Sequence, residues 1–488
     1  MQQYFGFNLK KLAGVDRKKL EETPLEAVLL YNAPDARYHC LLWEQQDARI
    51  EAEGLREAAD LAQRRVPTCV LTQLRGLVVD QIEVKRLQTK YEKVINKTIA
   101  DIAALPVVRE FRSKKGKEFK PLSNPDVLFI LKDMLHRNEV IVENKFTKKR
   151  EYRADESVLE QIDHPIAKLL LQLRQFNKRK STYVDPLSID HEDSVVYPDG
   201  LVHAQFNTTF SEGGRLSVES PSLQNYPKRD TEAKEVRKPV VAPPGCVVLA
   251  FDQGQVEARV IAMFTKDKSF CKALWERYDV HHEWAERLAY AYPRRVGGKD
   301  KLKDKKVMKT FRTDVKNQWT FPLFYGAKLE SVAGYLDMPV DTVRPLYNEF
   351  WKQFAGVKSW QEKQVELYKE RGYTECLTGR RRHGPLSLNQ ILNSPVQGTA
   401  AELIMSSMSR LSETGNPELQ PELNIHDDLT FVRVPIKRVD DIAERVITEM
   451  LNMPFSWVNV PLTVEMSMGP NWLELEEVGT FSSDEWGK

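Results

Sequence analysis

At 488 residues the chain can bury several cores, so three or four subdomains are expected rather than one. A hydrophobic content of 41% is that of an ordinary globular protein, and a net charge of +2 gives no bulk attraction to nucleic acid. No apolar run nears the roughly 18 residues of a membrane helix, Met1 to Lys10 lacks the apolar core of a signal peptide, and the five cysteines include no CxxC pair. A soluble protein of a reduced, cytoplasmic compartment is therefore expected, without a disulfide framework or zinc knuckle.

From the N-terminus, residues 18 to 64 read as helices rich in Leu, Ala and Glu. Within them "YNAPDARYH" sets Tyr31 and Asp35 four apart, a spacing suited to half of a metal site on a helix face. Pro67 in "RRVPTC" is expected to break the pattern and mark a boundary. Helical periodicity resumes from Leu71 to Leu105, with Val84, Leu87, Tyr91, Val94 and Ile95 on one apolar stripe. Residues 111 to 127 look like an exposed loop, after which "VLEQIDHPIAKLLLQLRQF" is again helical. Basic clusters at 112–120, 177–183, 299–309 and 379–384 are spaced to touch phosphates along a duplex, although any one of them is ordinary on a solvated face.

"SVVYPDGLVHAQFNTTF" (194–210) reads as a strand pair around Pro198-Asp199-Gly200, and "GCVVLAF" (245–251) as a buried strand stopping at Asp252. Helices are expected over 255–291, 305–319 and 357–371, and two strands meeting at a polar turn in "LNIHDDLTFVRVP" (423–435). A sheet carrying a long helical insertion is the simplest arrangement, an α+β fold. Asp427 and Asp428 then stand at a hairpin tip, and Asp252 where another strand gives way to a helix. Asp is common in turns, but carboxylates from two strand ends facing one cleft can hold Mg²⁺. A pair of such ions about 4 Å apart stabilises the entering and leaving oxygens of phosphoryl transfer. Without metal, mutual repulsion raises at least one of the carboxyl pKa values.

These stretches resemble a known family. "FDQGQVEAR", "RTDVKNQWTFPLFYG" and "NIHDDLTF" are similar to motifs A, B and C of the family A DNA polymerases, the bacterial DNA polymerase I type. "GLVHAQFNTTFSEGGRLSVESPSLQNYPKR", "NSPVQGTAAEL", "GPNWLE", "LRGLVVD" and "KRKSTYVD" resemble further stretches, so the likeness runs from Leu74 to Glu474 in the family's order. It implies a right-handed polymerase with an antiparallel palm sheet and helical fingers and thumb. In this sequence the expected parts are an exonuclease-domain remnant (1–65), palm entry (66–85), thumb (86–190), palm (191–264), fingers (265–392) and palm again (393–488).

The resemblance further implies primer-template DNA and dNTPs as partners and two Mg²⁺ ions as cofactors, with Mn²⁺ as a substitute. Asp252 and Asp427 would hold the metal, with Asp428, where most members carry Glu, ranked below them. Arg312 and Lys316 share a helix face and would meet the triphosphate, together with His281; Gln255, Phe321 and Tyr325 complete the nucleotide side. Glu257 matches the acid that blocks a ribose 2′-hydroxyl. On the DNA side stand Arg215, Gln224, Asn225, Asn393, Gln397 and His426, with Lys180, Ser181 and Thr182 for backbone contacts.

Two irregularities accompany the match. Phe321 lies five residues after Lys316, one more than the family's spacing, and Pro322 follows it, so a π-bulge or kink is expected between Lys316 and Tyr325. Tyr31 and Asp35 match the last motif of the family's 3′-5′ exonuclease, whose earlier acids would precede Met1. Either the exonuclease has degenerated or a separate polypeptide supplies the rest, and the near-intact "LEAVLLYNAPDA" favours the split, with Pro34 as a complication. The expected activity is template-directed DNA synthesis in replication or repair. A single-subunit RNA polymerase relative and a non-catalytic primer-template binding subunit are the alternatives, opposed respectively by Glu257 and by the intact Asp252, Asp427, Arg312 and Lys316.

Overall fold

The computed structural model describes residues 22–143, 149–228, 230 and 232–487, without the side chains of Leu30 and Asp35. The first part of the expected 1–65 remnant and the Asp35 carboxylate thus lie outside the described residues.

Two helices, α1 (Leu25–Ala52) and α2 (Arg56–Arg75), form an N-terminal arm. The expected break at Pro67 is absent, and the 65/66 boundary falls inside α2. Pro67 removes one helical hydrogen bond, but tertiary contacts hold the helix. The Thr68 hydroxyl donates to the Arg64 carbonyl at 2.8 Å and lies 3.1 Å from Ser409 Oγ, while Arg64 grips Glu413 at 2.5 Å.

Past the arm, α3 (Gln81–Ala104) starts at Asp80, whose carboxylate accepts from the backbone N–H groups of Ile82 and Glu83. It buries Val84, Leu87 and Tyr91 of the expected stripe, while Val94 and Ile95 stay half-buried. The expected loop at 111–127 is shorter than the sequence suggests. Helix α4 (Pro106–Lys115) runs into it because Phe111 is fully buried, and Gly116, at φ +63°, ends the helix. With α5 (Pro165–Lys178) these elements enclose a separate core that includes Phe111, Ile130, Leu131, Ile166 and Leu170. The pairing expected around Pro198-Asp199-Gly200 is present as a bridge between Val196 and Val202; beyond it Leu201–Val202 also pairs with Leu77–Val78, and Gln205–Asn207 with Ser217–Glu219.

The main sheet has five antiparallel strands: β1 (Cys246–Gln253), β2 (Leu423–Ile425), β3 (Asp428–Pro435), β4 (Thr463–Gly469) and β5 (Glu476–Ser482). Their spatial order is β2-β3-β1-β4-β5. The central β1 buries Val248, Leu249, Ala250 and Phe251 in succession, so both of its faces are covered and its sequence shows no alternation. Between β1 and β2 comes the helical insertion, including α6 (Val256–Thr265), α7 (Val280–Ala291), α8 (Lys305–Val315), α9 (Phe321–Phe324), α10 (Ala355–Arg371) and α11 (Leu388–Glu413). Among the described residues no helix is long and apolar enough to cross a membrane.

Candidate active site

Strand register brings the acids together. Asp252, near the end of β1, pairs with Asp428 on β3 and with Glu465 on β4. The loop between β2 and β3 is His426-Asp427, with His426 at φ +64°, and the Asp427 carbonyl accepts from Gln253 N–H at 3.0 Å. Asp252, Asp427, Asp428 and Glu465 therefore line one cleft of about 850 Å³ together with Arg215, Lys228, Lys234, Arg237, Arg312 and Lys316.

Crowding of like charges shows in the ionisation of these groups. Burial, then the neighbouring Asp427 and Asp428, push the Asp252 carboxyl up to about 8, against Lys228 at 3.9 Å. A third of the Asp252 side chain stays open to water, which screens part of this effect. Burial raises Asp428 to about 6, partly offset by a hydrogen bond from the Thr430 hydroxyl. His426 is held below the usual imidazole value by burial and by Arg215.

Such a cluster favours a cation in place of protons. Carboxylate oxygens of this kind are hard donors suited to a divalent cation such as Mg²⁺, which takes one or two protein carboxylates and fills its remaining positions with water and substrate oxygens.

Another wall of the cleft is built on α8 and the turn after it. Arg312 Nε donates to Asp279 Oδ2 at 2.7 Å, and Asp279 caps α7 by accepting from His281 and His282 N–H at 3.0 Å. Burial pushes the Asp279 pKa up, but the Arg312 hydrogen bond and charge hold it below its ordinary value. Lys316 opens a five-residue π-turn, Lys316–Thr320, closed by Phe321 N–H donating to the Lys316 carbonyl. The expected bulge is present. It absorbs the extra residue and leaves Pro322 in the first turn of α9, where a missing N–H costs little. Phe321 and Tyr325 consequently stack, with ring centres 5.9 Å apart and planes 12° apart, and Lys316 Nζ lies 5.5 Å from the Phe321 ring centre.

Glu257, in the first turn of α6, joins the two walls. Its Oε1 lies 2.8 Å from Arg215 Nη2 and its Oε2 accepts from the Tyr325 hydroxyl at 2.7 Å. Burial, reinforced by Glu257, holds the Tyr325 phenol well above its usual pKa. Gln255, which lines the cleft, precedes α6 at φ +51°.

Other expected residues stand elsewhere. His281 is fully buried, its ring 5.3 Å from that of Phe321, and burial lowers its pKa to about 3. Gln224 spends its amide on the carbonyls of Leu216 and Asn424, at 3.1 and 3.3 Å, and Asn225 donates to Ser222 Oγ at 2.7 Å. Asn393 and Gln397 lie half-buried on α11, the Asn393 Oδ1 without a protein partner. Lys180 pairs with Asp185 at 3.0 Å, Ser181 bonds the Asn177 carbonyl at 2.9 Å, and Thr182 is exposed, all within a second π-turn, Arg179–Val184. Tyr31 lies half-buried on α1, with Pro34 inside the same helix.

Sequence reading missed Glu465, Lys228, Lys234 and Arg237. Glu465 was accessible only through the register of β4 on β1. Arg237 is buried beneath the cleft, 4.3 Å from the Trp472 ring centre, with burial lowering its pKa and Asp428 opposing that.

A five-stranded antiparallel sheet presenting acids to a helical wall of Arg, Lys and stacked aromatics is the architecture of a right-handed polymerase. The chain belongs to DNA polymerase family A, whose model matches residues 87–474. It is 29% identical to DNA polymerase I of Chloroflexus aurantiacus over 96% of this chain and 49% of that protein. It is 31% identical to the thermostable DNA polymerase I of Thermus aquaticus over 80% of this chain and 46% of that one. The chain thus spans about half the length of these relatives. Its fold is similar to the polymerase domain of Pol1 from M. smegmatis, solved in complex with DNA primer-template and dNTP, with a TM-score of 0.67 and 26% identity over 84% of this chain and 70% of that one.

Proposed function

We propose that the chain is a template-directed DNA polymerase that adds dNTPs to a primer 3′ end, in replication or repair. The observation that carries this reading is the single cleft that Asp252, Asp427 and Asp428 line together with Arg312 and Lys316. The primer 3′-hydroxyl attacks the α-phosphate, a new O–P bond forms, and the bond to the β-phosphate breaks, releasing pyrophosphate. Asp252 and Asp427 are the residues that would hold two Mg²⁺, or Mn²⁺ in its place; bound there, the ions lower the charge on the reacting oxygens. Arg312 and Lys316 bind and neutralise the triphosphate, Phe321 and Tyr325 stack on the incoming pair, and Glu257 excludes a ribose 2′-hydroxyl. Arg215, Asn393, Gln397 and His426 face the duplex, with Lys180, Ser181 and Thr182 on its backbone. The residue ranges assigned above to palm, fingers and thumb belong to the same proposal; the separate core around Phe111 and Leu170 supports the thumb.

Primer extension with and without Asp427→Ala tests the assignment. Loss of Mg²⁺-dependent extension is expected, and unchanged extension overturns it. A preference of the parent for NTPs over dNTPs would instead place the chain with RNA polymerases. The Tyr31 helix belongs, on this reading, to a 3′-5′ exonuclease whose other acids a separate polypeptide supplies. Degradation of single-stranded DNA by the purified chain alone would rule that out.

A further inference from the structure

The cleft is anchored to the N-terminal arm through a buried carboxylate outside it. Glu402, on α11, is only 1% exposed. Its Oε1 accepts from Arg380 Nε at 2.9 Å and stands 3.6 Å from Arg65 Nη2 of α2; its Oε2 accepts from the Thr378 hydroxyl. Both arginines turn their remaining donors onto one short piece of backbone. Arg380 Nη2 bonds the Gly213 carbonyl at 3.1 Å, and Arg65 Nη1 lies 3.5 Å from the Gly214 carbonyl. Gly214 takes φ +79°, which L side chains rarely adopt, and a Cβ there would fall 2.4 Å from Arg380 Nη2. The next residue is Arg215, whose guanidinium meets Glu257 at 2.8 Å.

We infer that Arg65, Arg380 and Glu402 are positioning residues that set the sugar discrimination of the cleft by fixing the 213–214 backbone, and through it Arg215 against Glu257. None of the three lines the cleft. A carboxylate buried solely for stability would be a poor device, because removing two or three charges from water offsets much of their attraction. Here the buried pairs fix a geometry: two planar guanidinium groups, each with several donors in a rigid fork, locate one peptide segment from two sides. A residue of the N-terminal arm thereby sits four links from the base-stacking face: Arg65 to Gly214, Arg215, Glu257 and Tyr325.

This inference rests on the reading that Glu257 screens the ribose, and the experiment separates the two. The ratio of kcat/KM for a dNTP to that for the matching NTP is measured in primer extension for the parent, Glu257→Ala, Arg65→Met and Glu402→Gln, with a thermal melt of each. Arg65→Met and Glu402→Gln are expected to lower the ratio about tenfold, the worth of one charge-assisted hydrogen bond, mainly through a lower KM for the NTP. If Glu257→Ala leaves the ratio unchanged, the sugar-screening reading fails and this inference with it. If Glu257→Ala lowers the ratio but folded Arg65→Met and Glu402→Gln keep it within about twofold of the parent, the positioning role is overturned and the cluster is structural. Should Arg65→Met fail to fold, Gly214→Ala disturbs the contact between Arg380 and this backbone with every charge in place. A reduced ratio in that variant supports the inference, and a parental ratio overturns it.

Discussion

The Tyr325 hydroxyl donates to Glu257 Oε2 at 2.7 Å, closing a link between the first turn of α6 and the end of the α8–α9 wall. Because Arg215 occupies the other carboxylate oxygen, Glu257 is held from two sides. Tyr325→Phe removes one of these bonds while keeping the aromatic stack. It is expected to raise NTP incorporation relative to dNTP by roughly tenfold or less, with dNTP turnover little changed. Glu257→Ala should do so by more. Equal discrimination in parent and Tyr325→Phe, measured by single-nucleotide extension, would show that the link has no part in sugar choice.

Asp252 stands beside two other carboxylates, and burial and their charge push its carboxyl up to about 8. Asp252→Asn takes one ionisable carboxyl out of this crowded group. Nucleotide incorporation is expected to fall by about a thousandfold or more, the scale of losing a centre of transition-state charge stabilisation. The metal-free melting temperature should meanwhile equal or exceed the parent's, as happens where active-site strain is relieved. A large drop in melting temperature would mean that Asp252 holds the sheet rather than the chemistry.

The π-turn at Lys316–Thr320 and Pro322 form a matched pair. Deleting Gln318 alone would make the turn α-helical and leave the proline ring inside a regular helix, at a cost of about 3 kcal/mol. The same deletion combined with Pro322→Ala should restore most of that stability and keep Phe321 and Tyr325 on one face. Urea unfolding of both variants checks this. Equal destabilisation of the two would mean that the bulge is held by its surroundings and not by the proline.

A pH-dependent contribution comes from His203. Burial opposes its protonation, but Nδ1 lies 2.5 Å from the Gln73 carbonyl and Nε2 2.9 Å from Asp199, and together these raise its pKa above the free value. The contribution is therefore complete below about pH 6.5, and is lost as pH rises through the higher folded-state value. Relative to His203→Gln, the parent should lose about 1 kcal/mol or less between pH 5.5 and 8.5, the pair being partly exposed. Urea unfolding at those two pH values measures it; a gain in the parent would reverse the assignment.

Where local pattern decides structure, the sequence is a good guide. The buried run ending at Asp252, the hairpin about Asp427 and the π-turn forced by one extra residue before Pro322 all follow from spacing and side-chain chemistry. Readings fail where a distant contact decides. Pro67 breaks nothing because Thr68 and Arg64 are held by residues more than 340 positions away. Glu465 joins the acids through a register that no local pattern encodes.

The order β2-β3-β1-β4-β5 also governs how the chain can assemble. The strand carrying Asp252 is the first of the five to leave the ribosome, yet its two neighbours begin only at Asp428 and Thr463. During synthesis it must wait, apolar on both faces, while the intervening helices fold on short-range contacts. The sheet is thus completed only after Thr463 has been made, and a nascent chain interrupted before that residue exposes an unpaired, sticky strand edge.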